Sequence, residues 1–380
     1  MKILFLLPSF GIGGTTVSTR NLIMLLEKRG HECWAMPLHK KGLLCDLYDG
    51  VPQIQSPFVV HALANGSWKE EPTALRRLGA MLIRFTCNHS SRVKKYLVKT
   101  SIGKQISSKQ FDVIVACQEG ISTALVSCIK HPEKIAWVRC DYRRIYETRG
   151  KEPFYETYKA VVCVAEETCE YFKTVYPEYS DRVFCIPNPQ DSDFIITRSK
   201  AKEEEPRFRN DKTKLVSIGR LDEIKRFTEI PHIAKQLIAM GLDFTWYVIG
   251  DGAERQHIAD EITKCDMGEY VVMLGAKSNP YYYISQAKLL VSLSRSEACP
   301  RVVNEAKILG TPTISTDYPT IFEFIENGKN GWIAPLENIP ETIHNALSDN
   351  TAYQGVCEEL KEFTFNSNPL VDKIEQLMMK

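Results

Sequence analysis

A chain of 380 residues is longer than one ordinary hydrophobic core and predicts two domains, each able to bury an apolar centre of its own. Its 44% hydrophobic and 25% charged residues are typical of globular proteins, and 48 Lys and Arg against 47 Asp and Glu exclude a general positive field for nucleic acid. The twelve cysteines have neither the spacing of a zinc site nor a disulfide pattern, which favours a reducing compartment. No apolar run approaches the ~18 residues of a membrane-spanning helix.

The first half alternates short apolar runs with helical patterns, which is typical of a parallel sheet covered by helices on both faces. The opening run at 3–7 is too short for a secretory signal and leads into a Gly-rich turn, so we interpret it as a buried strand. A helix over about 16–29 follows and ends at Gly30. The strands predicted in this half are 2–7, 31–36, 113–117, 135–138, 160–164 and 183–186.

The pattern stops between 186 and about 213, where Pro187-Asn-Pro-Gln-Asp191 and the charged stretch 198–211 indicate a connector. A new set of strands then begins, with a helix over about 227–240 and a final helix over 370–379. The strands predicted here are 215–218, 244–249, 271–274, 289–293 and 313–315. We therefore divide the chain into an N-terminal domain (1–190), a connector (191–212), a C-terminal domain (213–365) and a C-terminal helix (366–380) that packs back on the N-terminal domain.

The strongest local pattern follows the strand at 289–293. It begins as Ser294-Arg-Ser-Glu297 and continues through Pro300 and Glu305 to Gly310. Pro300 suits the first position of a helix and Gly310 its end, which leaves Glu297 in the loop and Glu305 on the helix. The residues 300–305 rise roughly 7 Å at about 1.5 Å each, so the two carboxylates can meet opposite ends of one extended ligand. The N–H groups at the helix start suit an anion such as a diphosphate.

This Glu-x7-Glu pattern after a Ser-x-x-Glu loop resembles the hallmark of the retaining family 4 glycosyltransferases of GT-B fold. The resemblance is clearest over 213–335, and in the first half it is confined to Gly11-Ile-Gly-Gly14, 112–116 and 137–142. Three further motifs support the resemblance. Ser217-Ile-Gly-Arg-Leu221 with Lys225 resembles the family's donor-phosphate motif, and Ile249-Gly-Asp-Gly252 resembles its second turn. Leu274-Gly-Ala-Lys-Ser-Asn-Pro-Tyr281 resembles the loop near the base.

The resemblance implies an α/β protein of GT-B fold, with two Rossmann-like domains whose parallel sheets face each other across a cleft. The N-terminal domain would bind the acceptor and the C-terminal domain the nucleotide-sugar. In family terms, Arg220 and Lys225 hold the diphosphate, Glu305 binds the ribose hydroxyls and Glu297 contacts the donor sugar. The implied donor-binding residues are Gly13, Gly14, Arg220, Lys225, Lys277, Val302 and Glu305, and the implied catalytic residues are Glu297 and Arg139.

The chemistry agrees with these roles. A departing nucleoside diphosphate gains negative charge in the transition state, and fixed cations stabilise that charge without a metal. We therefore expect no metal site and no cofactor, with a UDP- or GDP-sugar as co-substrate.

Two positions depart from the family pattern. Ala298 stands where the family has Gly, and it adds a Cβ where the backbone must approach the sugar closely. Arg139, in Trp137-Val-Arg-Cys-Asp-Tyr142, stands where a His commonly follows the Trp-containing strand. Both favour an alternative function, a non-catalytic GT-B-like partner subunit that binds nucleotide-sugar or positions another transferase.

Three other patterns have two interpretations each. Asp191-Ser-Asp193 is either a metal-binding Asp-x-Asp or part of the connector, and we favour the connector. Tyr281-Tyr-Tyr283 either stacks on a base or packs in the core. The segment 72–111 has nine Lys or Arg and no acidic residue, with apolar residues interspersed. It either lies on an anionic membrane or covers the N-terminal domain as a solvated helix.

The resemblance thus implies a hexosyltransferase-type enzyme that moves a sugar, with retention, from a nucleotide-sugar to a saccharide or lipid-linked saccharide. The setting it suggests is cell-surface polysaccharide synthesis, such as capsule or exopolysaccharide. We expect a cytoplasmic protein without a nucleic-acid partner. If the segment 72–111 binds lipid, the protein is peripheral at the inner face of the plasma membrane.

Overall fold

The computed structural model describes residues 1–11, 13–39, 42–63, 73–209 and 211–379. They form two compact units, Met1–Pro189 with Asn368–Lys380, and Gln190–Ser367. Within the described ranges, no helix combines the length and apolar character needed to cross a bilayer.

The first unit is built on a parallel sheet. Its strands are β1 (Lys2–Ser9), β2 (Glu32–His39), β3 (Val113–Ala116), β4 (Lys134–Val138), β5 (Ala160–Cys163) and β6 (Val183–Cys185). Its first helices are α1 (Gly14–Glu27), α2 (Phe58–Leu63), α3 (Ala74–His89), α4 (Ser91–Ser107), α5 (Ile121–Ser127), α6 (Tyr142–Arg149) and α7 (Glu166–Val175). The strand order is β2-β1-β3-β4-β5-β6. Central strand residues such as Leu4, Ile114 and Val161 are fully buried because helices cover both faces.

The second unit repeats this architecture with another strand order. Its helices are α8 (Ser192–Lys200), α9 (Ile230–Ala239), α10 (Arg255–Lys264), α11 (Pro280–Ser285), α12 (Arg301–Ile308), α13 (Ile339–Ser348) and α14 (Asn350–Lys361). Its strands are β7 (Thr213–Ile218), β8 (Phe244–Ile249), β9 (Val271–Gly275), β10 (Leu289–Ser292), β11 (Thr313–Thr316) and β12 (Trp332–Ala334). The order β12-β11-β10-β7-β8-β9 is the Rossmann arrangement, with the first and fourth strands side by side at the centre.

The predicted α/β class with two parallel sheets is confirmed, and all eleven predicted strands are present. β2 extends past the predicted end at Met36 and includes Pro37. It lies at the edge of its sheet, where a proline without an N–H donor is tolerated. The strand that the sequence pattern missed, β12, has only three residues, which is too short for a period-2 pattern.

The stretch predicted as a connector, 191–212, lies inside the second unit in the structure. It contains α8, a nine-residue helix that packs against α11 and α12 and buries Ile195 and Ser199. The Asp191 side chain caps this helix by accepting a hydrogen bond from the Phe194 backbone N at 3.2 Å. Most of the charged residues of this stretch follow the end of α8, and Glu205 among them is 7% exposed. Asp191 acts as the N-cap of α8.

The last helix, α15 (Asn368–Met379), belongs to the first unit. Arg29 donates hydrogen bonds to Asp372 at 2.5 Å and to Glu375 at 2.6 Å. The His31 ring lies 2.7 Å from the Glu375 carboxylate. These polar contacts fix the end of the chain next to α1 and β2.

Candidate functional site

Two glycine turns lie against each other at the carboxyl ends of β7 and β8. The Gly219 backbone N donates to Ile249 O, and the Leu221 backbone N donates to Asp251 O, both at 3.0 Å. A Cβ on Gly250 would lie 1.8 Å from Gly219 O, and one on Gly252 would lie 2.2 Å from Leu221 O. Only glycine permits this approach, which fixes the chain leading to Arg220 and Lys225.

Lys225 and Glu297 meet at this edge of the sheet. Lys225 ends a short 3-10 turn after β7, while Glu297 lies in the loop after β10, and the ammonium of Lys225 contacts the Glu297 carboxylate. Each side chain is about one-fifth exposed, at 20% and 19%. Ser294 Oγ donates to the same carboxylate oxygen at 2.8 Å, and the Arg295 backbone N donates to Ile224 O at 2.8 Å. Residues 72 positions apart are thus joined in one polar group.

The position of this pair in the sheet is informative. β7 lies between β8 and β10, so the crossovers from it run in opposite directions on its two sides. Ligands of open α/β sheets bind at this switch point, outside the carboxyl ends of the strands. The pair Lys225 and Glu297 lies at the switch point of the second unit.

Buried hydroxyl groups hold the Glu297 loop in place. Thr320 Oγ1 donates to Glu297 O, and Thr316 Oγ1 donates to Ser294 O at 2.5 Å. Ala298 is 3% exposed, so its methyl group packs inside the protein. The sequence analysis missed both residues, of which Thr316 ends β11 and Thr320 lies in the 3-10 turn that follows.

Two arginines, Arg226 and Arg295, lie in the same two loops as Lys225 and Glu297. Arg226 has φ 50°, a left-handed conformation that costs a non-glycine residue roughly 1 kcal/mol. Burial, and then the charge of Arg295, lowers the pKa of Arg226. Arg295 also forms an ion pair with Glu223 at 3.2 Å. The sequence analysis singled out neither arginine.

Arg220 lies in this region but does not bond to Glu297 among the described contacts. Its Nε donates to Asp222 Oδ2 at 2.7 Å, and its side chain is 63% exposed. An exposed ion pair of this kind contributes little to stability, about 0–1 kcal/mol. Breaking this ion pair therefore costs little free energy, and the Arg220 guanidinium can turn towards an anion.

The helix α12 begins beside the Glu297 loop. Pro300 is its N-cap, with ψ 84°, and so precedes the helix instead of occupying the predicted first position. No side chain caps this end within the described structure. The first N–H groups of α12 are consequently available to an anion.

The resemblance implies that Glu305 binds the ribose hydroxyls, which requires an accessible carboxylate, but the structure buries this residue. It is 1% exposed, and the Arg301 guanidinium, one helical turn earlier, contacts its carboxylate. Burial raises the pKa of Glu305, while Arg301 and Tyr281 oppose this rise. The Arg301 contact uses Glu305 Oε1, and the contact of Glu305 with a ribose hydroxyl stays a prediction. Val302, next to Arg301, is half-buried against the apolar clusters below α12.

Lys277 belongs to another group of charges. Its Nζ donates to Glu205 Oε2 at 2.7 Å, and Arg207 Nε donates to the other carboxylate oxygen at 2.8 Å. Arg207 first, and Lys277 second, lower the pKa of Glu205 to about 2. Lys277 is an ion-pair partner in this structure, and its contact with the nucleotide stays a prediction.

We expect the stabilisation from Glu205 to disappear in acid. Its folded-state pKa is lowered, so its contribution is present above the ordinary value of 4.5 and is lost as the pH falls towards about 2. Melting temperatures of the wild type and Glu205→Gln should differ at neutral pH and converge between these values. Glu358→Gln, at an exposed position on α14, is the control that should show no such convergence. A difference that stays constant across the series would contradict this expectation.

The tyrosine run 281–283 mostly packs inside the protein. Tyr281 and Tyr283 are buried at 3% and 0% exposure, and Tyr282 is half-buried against Phe208. Of the two interpretations of this run, core packing describes Tyr281 and Tyr283.

The glycine-rich turn of the first unit follows β1, next to β3, where the strand order of that sheet reverses. Gly14 starts α1, and Gly13 before it is in an extended conformation. A Cβ on either residue would meet no described atom within 4 Å. Packing therefore does not require glycine at either position, which leaves room for a ligand to approach the backbone. Ile12 of this turn lies outside the described residues.

Arg139 belongs to the first unit, after β4. Its guanidinium contacts Ser18 Oγ of α1 and the Asn188 side chain, and its backbone N donates to Glu119 Oε2 at 2.8 Å. Glu119 is 7% exposed. Arg139 thus ties together α1, the end of β4 and the end of the unit. The sequence pattern did not reveal Ser18, Glu119 or Asn188 as its partners, because they lie far along the chain.

One group within the described ranges has side chains suited to a metal ion. Ligand atoms of His232, Glu261 and Cys265 lie within 4.8 Å of one another. The spacing rules missed it because His232 comes from α9, while Glu261 lies on α10 and Cys265 directly after it. His232 and Lys264 bond to Glu261 at 2.9 and 3.0 Å, which satisfies the carboxylate. The absence of a metal from the reaction stays a prediction.

Residues 198–363 match the model of a protein family described as Glycosyl transferases group 1. An uncharacterized glycosyltransferase of Methanocaldococcus jannaschii is 25% identical over 234 residues, which are 59% of this chain and 54% of that one. The N-acetyl-alpha-D-glucosaminyl L-malate synthase of Bacillus anthracis is 20% identical over 380 residues, covering 96% of this chain and 93% of that one. The amylovoran biosynthesis glycosyltransferase AmsK of Erwinia amylovora is 28% identical over 130 residues, 32% of each chain. The similarity supports a glycosyltransferase with relatives in polysaccharide biosynthesis.

Solved structures share the fold across the chain. HepE of Anabaena in complex with UDP-glucose has a TM-score of 0.75 at 15% identity and covers 100% of this chain and 99% of that one. TarM of S. aureus, in a complex that includes UDP, has a TM-score of 0.74 at 12% identity, with 100% of each chain covered. These likenesses show the fold, and the predicted GT-B class is confirmed.

Proposed function

We propose that the protein is a glycosyltransferase that takes a sugar from a nucleotide-sugar bound by the second unit. The observation that carries the proposal is the contact of Lys225 with Glu297 at the switch point of a Rossmann-type sheet. A cation and a carboxylate at this point suit a ligand with a diphosphate at one end and sugar hydroxyls at the other. The match of residues 198–363 to the group 1 glycosyltransferases supports the same chemistry.

The ion pair makes the site ready for such a donor. In its absence, Lys225 and Glu297 satisfy each other at about one-fifth exposure. A donor can replace both partners at once, because its phosphates attract the ammonium and its sugar hydroxyls donate to the carboxylate. The N–H groups at the start of α12 and the redirected Arg220 then add to the field around the phosphates.

The transfer step breaks the bond between the sugar anomeric carbon and the diphosphate oxygen. The acceptor hydroxyl forms the new bond at that carbon, and its proton passes to the departing diphosphate. Charge on the leaving group is greatest in the transition state, so Lys225 acts most strongly there. Retention of configuration, membership of family 4 and independence from a metal follow the resemblance of the motifs and are part of this proposal.

The nucleotide and the acceptor are proposed from the relatives. UDP-glucose is bound in the solved structure of HepE and UDP in that of TarM, so we propose a UDP-sugar donor. AmsK takes part in amylovoran biosynthesis, which favours a saccharide or lipid-linked saccharide acceptor in a cell-surface polysaccharide. A cytoplasmic location stays a prediction from the cysteines.

The contacts of Arg139 favour the alternative function, a non-catalytic partner subunit. Its guanidinium already contacts Ser18 and Asn188, so it is engaged within its own unit. An arginine held in this way can serve structure alone. Ala298 is 3% exposed, and the effect of its methyl group on the approach of a sugar stays a prediction.

A donor screen of the purified chain tests the proposed function. A bound UDP-sugar at 100 times its Kd should stabilise the protein by about 2.7 kcal/mol, and release of nucleotide should follow when a saccharide acceptor is added. Glu297→Gln should fold normally and lower turnover by about 100-fold to 1,000-fold, because it removes the carboxylate that accepts from the sugar hydroxyls in the transition state. Glu358→Gln should behave as the wild type. Donor binding without turnover under every acceptor would support the partner subunit instead.

A further inference from the structure

The helix α3 carries an unusual exposed apolar face. Its spacing of three and four residues places the large apolar side chains within about 120° of the helix circumference. Leu75 is 80% exposed and Phe85 is 63% exposed. The members of this group, called the α3 face below, are Leu75, Leu78, Met81, Leu82 and Phe85.

The fold does not need this face for its own core. The opposite side of α3 buries Ala80 and Cys87 and packs against α2 and α4. The α3 face therefore points away from the packed side of the helix. Five large apolar side chains in one exposed patch mark a binding surface more often than a chance arrangement.

The segment that contains the α3 face carries Lys and Arg side chains but no acidic ones. The segment 72–111 has nine Lys or Arg and no Asp or Glu. On α4, Arg92, Lys95 and Lys99 are exposed next to Val93 and Tyr96, which are 39% and 66% exposed. Exposed cations on α4 and an apolar stripe on α3, two helices that pack together in a segment without an acidic residue, complement anionic headgroups over an acyl layer.

We propose that the α3 face inserts into the surface of an anionic membrane, with the cations of α4 at the headgroups. A second copy of the chain is a poorer occupant, because the same cations would face each other across the interface. Membrane binding by the α3 face does not require a nucleotide-sugar. Its consequence, that the acceptor is presented at a lipid surface, rests on the proposed function.

Vesicle flotation of the full chain tests this surface. We expect about 100-fold stronger binding to phosphatidylcholine vesicles with phosphatidylglycerol than to phosphatidylcholine alone, since three exposed cations each contribute roughly fivefold. The triple change Leu78→Gln, Leu82→Gln, Phe85→Gln should weaken binding by at least roughly tenfold, as it removes apolar area from the inserted face. All three side chains are exposed, so circular dichroism and the melting temperature should match the wild type.

The matched control removes exposed apolar groups elsewhere. Met240→Gln with Phe322→Gln changes residues that are 41% and 62% exposed in the second unit and should bind vesicles as the wild type does. The proposal is overturned if the wild type ignores phosphatidylglycerol vesicles or if the triple variant binds them equally well. A wild-type dimer that the triple variant converts to monomer, without vesicle binding, would overturn it in favour of self-association. Vesicle binding without any donor binding would keep this surface and refute the proposed function.

Discussion

Replacing Lys225 by alanine is expected to lower kcat/KM by about 100-fold to 1,000-fold, or about 3 to 4 kcal/mol of transition-state stabilisation. The ammonium is one-fifth exposed and sits against Glu297, where a departing diphosphate would gain charge. Because that charge develops in the transition state, the loss should appear mainly in kcat. Steady-state kinetics with the donor found in the screen measures it.

The matched control is Lys235→Ala, which removes an exposed lysine from α9 and should leave the rate unchanged. Lys225→Ala also leaves the Glu297 carboxylate without its cation, so the double variant with Glu297→Gln is needed. If both side chains act on one donor, the double variant should lose far less than the product of the two single losses. A rate for Lys225→Ala within twofold of the wild type would remove Lys225 from the site.

The substitution Gly250→Ala is expected to be the most destabilising change at the site. Its Cβ would lie 1.8 Å from Gly219 O, and φ is 154°, a conformation that favours glycine. Overpacking against backbone and the strained φ together suggest a loss of about 3 kcal/mol in the free energy of unfolding. For a unit of this size the melting temperature should fall by roughly 10 °C. Calorimetry or thermal unfolding followed by circular dichroism measures it.

Gly268→Ala is the control, since its added Cβ meets no described atom within 4 Å. It should melt within a degree or two of the wild type. Equal melting temperatures for Gly250→Ala and Gly268→Ala would show that the two turns can separate without cost, and the rigid support assigned to Lys225 would then be wrong.

The strands were predictable because buried parallel strands read as uninterrupted apolar runs. Val113–Ala116 and Ala160–Cys163 follow that rule. The turns after Thr213–Ile218 and Phe244–Ile249 carry the glycines that the contact between these turns requires. Composition failed at α8, where a short charged helix resembled a connector. A helix of this length shows too few turns for its buried positions to form a visible stripe.

The exposed face of α3 was only half predictable. The lack of acidic residues over 72–111 and the apolar residues among the cations are visible in the sequence. Which apolar side chains face the protein depends on how α3 packs against α2 and α4. Ala80 and Cys87 are buried, and the larger Leu75 and Phe85 are exposed.

The sequence by itself determined the α/β architecture and the short motifs, because apolar periodicity and glycine turns act over a few residues. It also marked Lys225 and Glu297 as candidates. Only the tertiary structure decided that these two meet and that Lys277 pairs with Glu205. Each of these two contacts joins side chains that are 72 residues apart in the sequence. Such contacts depend on the order of strands in the sheet and on the rotamers chosen in packing, which no local pattern encodes.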